Sequence, residues 1–304
     1  MKKGLMMFAL ASVMMMGLTL WGAESPKIKP KKPIEQKDRM PELSSENIKK
    51  IEDALPAKAT AKPRKERSIL VFWRCEGFFH GAGIAGGAKA IELMGKKTGA
   101  YSADISRDYE SLEPANLEKY DAVVFLNTTG LIIPEASRKG LLNFVNNGKG
   151  IIGIHAATDN FYDWPEGAVM MGGLFSGHPW KAGGTWAFKL DEPDHPLVKA
   201  FGGKGFKLQD EIYQFKDPYT RADRCVLISL DLADPATGAV KGARADNDYA
   251  VAWIKNTGRG RVFYGSLGHA ANVFQDPAVL KFYLDGIQFA LADLDVDATP
   301  KRRK

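Results

Sequence analysis

Tyr120-Asp-Ala-Val-Val-Phe-Leu126, a stretch opened by Pro134, then Gly150-Ile-Ile-Gly-Ile-His155: this run decides the fold. Two short apolar segments, rich in β-branched residues, flank a segment in which Leu141, Leu142 and Val145 share one helical face. Pro134 suits the first turn of that helix, and Gly148 and Gly150 end it. Strands that are apolar along their whole length, joined through a helix, lie parallel in a sheet covered on both faces.

The same alternation extends toward the N-terminus. Ser68-Ile-Leu-Val-Phe-Trp73 reads as a strand, and Gly83 to Lys97 as a helix carrying Ile84, Ile91, Leu93 and Met94. Tyr101 to Ile105 is a second, weaker strand. Toward the C-terminus the pattern changes. Thr185 to Leu190, Cys225 to Leu230, Tyr249 to Ile254 and Arg261 to Ser266 are strand-like, with loops rather than full helices between them. Pro277 to Leu291 closes the run as a helix. The expectation is one α/β domain over 67–292: a mostly parallel sheet with helices on both faces and an antiparallel extension in its second half.

The flanks read differently. Lys2 and Lys3, the apolar run Gly4 to Leu20 and the small exit Gly22-Ala23 have the three parts of a signal peptide over 1–23. This implies export to the periplasm or the exterior; an uncleaved N-terminal membrane anchor is the alternative. Residues 24–66 are Pro- and Lys-rich, the composition of a linker, with one helix expected over Ser44 to Leu55 and Ser45 as its cap. Residues 293–304 read as a basic tail. The net charge of +6 resides on these flanks, while acids and bases nearly balance over 67–292. A domain without a basic face is excluded as a nucleic-acid binder. The flanking cations leave room for weak contact with an anionic membrane surface. Cys75 and Cys225 are read as buried free thiols, with a disulfide as the alternative. Nothing in the sequence specifies an oligomeric state.

In open α/β sheets, ligands bind outside the carboxyl ends of the strands. Polar residues gather there: His80 after the first strand, Asn127 and Thr128 after the third, His155 and Asp159 after the fourth, His269 after the last. Imidazole serves as a proton carrier or as a metal ligand. Gly153-Ile-His-Ala-Ala157 has the form of a nucleophile elbow, with His155 where a hydrolase carries Ser or Cys. Such a residue suits acid–base work or ligation better than covalent attack. In Asp210-Glu-Ile-Tyr-Gln-Phe215, extended backbone would put Glu211, Tyr213 and Phe215 on one face and turn Asp210 away. Trp164 and Trp180 offer aromatic faces for a sugar. The candidate catalytic residues are therefore His155, Glu211 and His269. The candidate substrate-binding residues are His80, Asn127, Thr128, Asp159, Trp164, His178 and Tyr213. No cofactor is demanded, but a divalent metal such as zinc would find N/O ligands in His155, His178, Glu211 and His269.

Taken together, Val71 to His80, Tyr120 to Gly130, Gly150 to Asp159, Gly172 to Pro179, Asp194-His-Pro196, Asp210 to Tyr213 and Gly265 to His269 resemble the successive motifs of ThuA-like (trehalose-utilisation) proteins. The resemblance implies a flavodoxin-like sheet of the class I glutamine amidotransferase-like superfamily. It also implies a small-molecule carbohydrate, a disaccharide or keto-sugar, as ligand. His155 replaces the elbow Cys of amidotransferases, which argues against glutaminase activity. Two readings follow: a carbohydrate-active enzyme of hydrolase, isomerase or lyase type, or a non-catalytic carbohydrate-binding or structural envelope module.

Overall fold

The apolar segments pair as parallel strands in a computed structural model that describes Met1 and residues 39–301. In chain order the elements begin with α1 (Ser45–Ala54), β1 (Ser68–Phe72), α2 (Gly81–Thr98), β2 (Ser102–Ser106), α3 (Pro114–Leu117), β3 (Ala122–Leu126), α4 (Glu135–Asn146) and β4 (Gly150–Ile154). They continue with α5 (Pro165–Met171), β5 (Leu174–Phe175), β6 (Thr185–Leu190), β7 (Phe206–Gln209), β8 (Phe215–Lys216) and β9 (Cys225–Leu230). The last are α6 (Pro235–Ala239), β10 (Ala250–Thr257), β11 (Gly260–Gly265) and α7 (Pro277–Ala290).

The main sheet runs β2-β1-β3-β4-β11-β10-β9-β6-β7. Every pairing from β2 to β11 is parallel, and every pairing from β11 to β7 is antiparallel. β5 and β8 form a separate antiparallel pair. The parallel half has the order of a flavodoxin-like sheet, and the antiparallel extension is the one expected. Side chains alternate across it. Ile69 and Val71 enter one core with Ile91 and Met94 of α2 and Leu284 of α7. Leu70 and Phe72 enter the other with Leu141 and Val145 of α4.

The flanks depart from expectation. The signal-peptide segment beyond Met1 and the first part of the linker, through residue 38, lie outside the described residues. The rest of the supposed linker is packed. α1 buries Ile51 and Ala54 in the same core as α2, and its cap is Ser44, one residue earlier than expected. Gln288 accepts hydrogen bonds from the backbone N–H groups of Thr60 and Ala61, and Asp293 accepts one from Arg64. A segment too polar to form its own core thus uses apolar surface and polar partners supplied by α2 and α7. The tail is similar through residue 301. Asp293 and Ala298 are buried, and Lys301 pairs with Glu192 at 2.8 Å. Cys75 and Cys225 are both buried and unbonded to each other.

Candidate functional site: a histidine and carboxylate cluster

β1, β3, β4 and β11 end on one rim of the sheet, and each delivers part of a single cluster. His155 follows β4 in the left-handed backbone region, at φ 49°. Such a conformation is costly for a residue with a Cβ and persists where the surroundings fix it. Tyr264 of β11 does so here, donating its hydroxyl to the His155 carbonyl at 2.6 Å, while Asn127 Nδ2 after β3 donates to the Gly268 carbonyl at 3.0 Å and ties the neighbouring turn to β3. Small neighbours are also needed: a Cβ at Gly83 would sit 2.6 Å from both Asn127 Nδ2 and the His269 carbonyl.

The His155 ring is wholly buried, with Nδ1 2.7 Å from the Ser266 carbonyl. A carbonyl only accepts, so Nδ1 carries the proton and Nε2 presents a lone pair. That lone pair faces His269 Nδ1 at 3.3 Å and Glu211 Oε1 at 3.8 Å. His269 Nδ1 lies 3.3 Å from Glu211 Oε1, and the other carboxylate oxygen of Glu211 lies 3.2 Å from His178 Nδ1. The ring centroid of His80 is 5.0 Å from that of His155 and 5.1 Å from that of His269. Its Nε2 is 3.4 Å from the Tyr213 hydroxyl, and its Nδ1 is buried with no hydrogen-bond partner among the described residues.

The electrostatics follow from burial and proximity. Burial, and then His80, hold the His155 imidazole well below its ordinary value. Burial and His269 take His80 down to about 4. His269 moves up because it is hydrogen-bonded to Glu211. Burial alone would raise the Glu211 carboxyl, but the bond to His269 and the neighbouring imidazoles outweigh it and lower it. The site therefore holds an ionised carboxylate against one imidazole that accepts protons readily and two that do not. Asp210 supports it from behind, accepting N–H bonds from Gly268 at 2.7 Å and His269 at 3.1 Å; burial pushes its carboxyl up to about 7.

His80, His155, Glu211 and His269 each offer one ligand atom, and these atoms lie within 4.8 Å of one another. Zinc bonds to N and O of about 2.0–2.2 Å place adjacent donors of a tetrahedral site roughly 3.3–3.6 Å apart. The 3.3, 3.3 and 3.8 Å separations among His155, His269 and Glu211 are close to that spacing. The orphaned Nδ1 of His80 and the carbonyl-bound Nδ1 of His155 also suit a cation. An imidazole ligand commonly donates its other N–H to a carbonyl. His80 thus takes the place expected for His178, whose Nδ1 is 3.1 Å from Lys181 Nζ at the mouth and which is part of no compact four-ligand group among the described residues.

Other expectations are corrected. Trp164 is buried against Phe161 with ring centroids 5.4 Å apart, and Trp180 is fully buried and donates to the Thr237 carbonyl. Both are core residues and do not reach the cluster. Asn127 and Thr128 are also fully buried. The Asn127 amide holds the Gly268 turn, and the Thr128 hydroxyl accepts from Asn160, so neither is free for a substrate hydroxyl. Tyr213 is buried beneath the cluster, its ring 4.6 Å from that of His155. Asp159 lies near the mouth and accepts the Tyr162 hydroxyl at 2.5 Å. Asp210 was expected to turn away; it turns into the Gly268–His269 backbone instead. The acid next to Glu211 and the Gly268-His269 tip were both visible in the sequence, but their contact spans 58 residues of chain.

Comparisons with known proteins agree with this architecture. A family model described as ThuA, trehalose utilisation, matches residues 68–290. A crystal structure of a ThuA-like protein from Bacteroides uniformis aligns with a TM-score of 0.63 at 22% identity, over 76% of this chain and 94% of that one. A ThuA-like protein from Parabacteroides merdae aligns with a TM-score of 0.56 at 20% identity, over 76% and 90%. No curated protein matches the sequence.

Proposed function

Because the chain belongs to the ThuA family, whose description is trehalose utilisation, we propose that it binds and acts on a carbohydrate, a disaccharide or keto-sugar, in the histidine pocket. The convergence of His80, His155, His269 and Glu211 at one sheet rim is the observation that carries this reading. A carbonyl beside a carbon acidifies its proton, and Glu211, ionised and facing three imidazoles, is the base for that proton. His269, bonded to the same carboxylate, is the proton donor to the departing or rearranging oxygen. His155 stays neutral and holds the pocket's geometry through Ser266. Should the same four residues instead hold a divalent metal such as zinc, Glu211 and His269 would be ligands rather than base and acid, and the metal would supply Lewis-acid polarisation of a substrate oxygen.

Incubating the purified protein with trehalose and keto-disaccharides, followed by NMR, tests the proposal. Glu211→Gln is expected to lower turnover at least a hundredfold. Full turnover in that variant would remove Glu211 from the chemistry. Saturable binding without turnover would favour the non-catalytic module. We also propose export, from the basic, apolar and small-residue order of residues 2–23. Cell fractionation with N-terminal sequencing checks it, and a cytoplasmic product retaining Met1 would overturn it.

A further inference from the structure

The two oxygens of Glu211 face different neighbours. Oε1 looks into the cluster, 3.3 Å from His269 Nδ1 and 3.8 Å from His155 Nε2. Oε2 looks toward the mouth, 3.2 Å from His178 Nδ1. A carboxylate only accepts, so the proton shared by Oε2 and this nitrogen belongs to His178. Lys181 Nζ also approaches the nitrogen, at 3.1 Å, but from an exposed side chain that is free to turn to solvent.

The backbone is built to hold His178 there. Phe175 of β5 pairs with Phe215 of β8, and Trp180 pairs with Ile212, so residues 176–179 of one arm oppose only 213 and 214 of the other. Extra residues in one arm make a bulge, and a bulge re-aims a side chain. Gly177 supplies the left-handed turn this needs, at φ 116°. The N–H of Gln214 donates to the Gly177 carbonyl and that of Ile212 to the Trp180 carbonyl, both at 2.9 Å, which pins the chain on either side of His178. The Trp180 indole anchors the arm by donating to the Thr237 carbonyl at 3.1 Å. The Phe175 ring stacks on the imidazole, with centroids 5.8 Å apart and planes at 18°. A side chain that is 36% exposed thus has a fixed backbone and one covered ring face.

The neighbouring donors are steadied from outside in the same manner: His155 through the Ser266 carbonyl, and the backbone of His269 through Asp210. Outer partners of this kind fix the orientation of metal ligands. We infer that His178 is the positioning residue of Glu211. It holds Oε2, so that Oε1 stays turned into the cluster as a donor, and it is not itself a ligand. The inference rests on the divalent-metal reading above.

Competition for zinc between the chelator-stripped full-length protein and a chromophoric indicator tests it. His178→Ala is expected to weaken zinc binding roughly ten- to a hundredfold. His178→Asn, whose amide N–H stands where Nδ1 stood, should keep most of the affinity. Lys181→Met should leave it unchanged. The urea midpoint of metal-free His178→Ala should equal that of wild type. Wild-type affinity in His178→Ala, equal losses in the Ala and Asn variants, or a comparable loss in Lys181→Met would overturn the assignment and leave the metal reading standing. A metal-free midpoint that falls in step with affinity would make the residue structural and overturn it too. Failure of the wild type to bind zinc would overturn the metal reading and the assignment with it.

Discussion

His155 Nδ1 lies 2.7 Å from the Ser266 carbonyl, so one strand-tip residue fixes the tautomer of another. Removing the imidazole should therefore remove a lone pair that no neighbour replaces. His155→Asn, chosen because Asn tolerates the left-handed backbone, is expected to lose most bound zinc in metal analysis after zinc loading and dialysis, with the fold retained by circular dichroism. Zinc content equal to wild type would show that His155 is not a ligand.

Asp210 tests whether the site depends on residues that touch no ligand. Its carboxylate is buried and receives the N–H groups of Gly268 and His269. Asp210→Asn keeps the shape but turns an amide toward one donor. The loss is expected to be ~1–3 kcal/mol in urea denaturation, with zinc affinity or turnover falling more than stability alone explains. An unchanged unfolding midpoint would show that the two bonds contribute nothing net.

Much of this was legible in advance. The parallel strands were legible because each is short, apolar throughout and punctuated by glycine or a turn, and the rim was legible because His80, His155 and His269 each follow a strand. The roles of Trp164, Asn127 and Thr128 were not legible, since burial depends on partners such as Phe161, Gly268 and Asn160 that the local sequence does not name. That His80 rather than His178 completes the compact donor group has the same cause: which imidazole lies within the cluster, and which at its mouth, is a property of the assembled loops.

His195 gives a pH dependence away from the cluster. Its Nε2 donates to the Asp297 carbonyl at 3.0 Å, and its Nδ1 accepts the Leu197 N–H at 3.3 Å, an arrangement only the neutral ring satisfies. Burial lowers its protonation point below the ordinary value of 6.5. The unfolded chain therefore takes up a proton first as pH falls below that value, so this residue's contribution is complete above it and lost on acidification. Denaturation midpoints of wild type should fall more steeply than those of His195→Asn between neutral pH and pH ~5. Parallel curves would contradict this assignment.

The packed segment ahead of β1 is tested by Ile51→Ala. Ile51 is wholly buried in the core shared with α2 and α7. Truncation should cost ~2–5 kcal/mol and lower the melting temperature by several degrees. A variant as stable as wild type would mean that residues 45–54 behave as a linker after all.

β11 lies between β4 and β10, although nearly all of its sheet partners precede it by a hundred residues or more or lie on the neighbouring hairpin arm. During synthesis a gap stays open beside β4 until Gly260–Gly265 emerges, and His269 with the Ser266 carbonyl arrives only then. The nascent chain thus carries His80 and His155 well before the imidazole and the carbonyl that meet them exist. A product stopped short of that strand would lack His269 and would expose a raw sheet margin to aggregation.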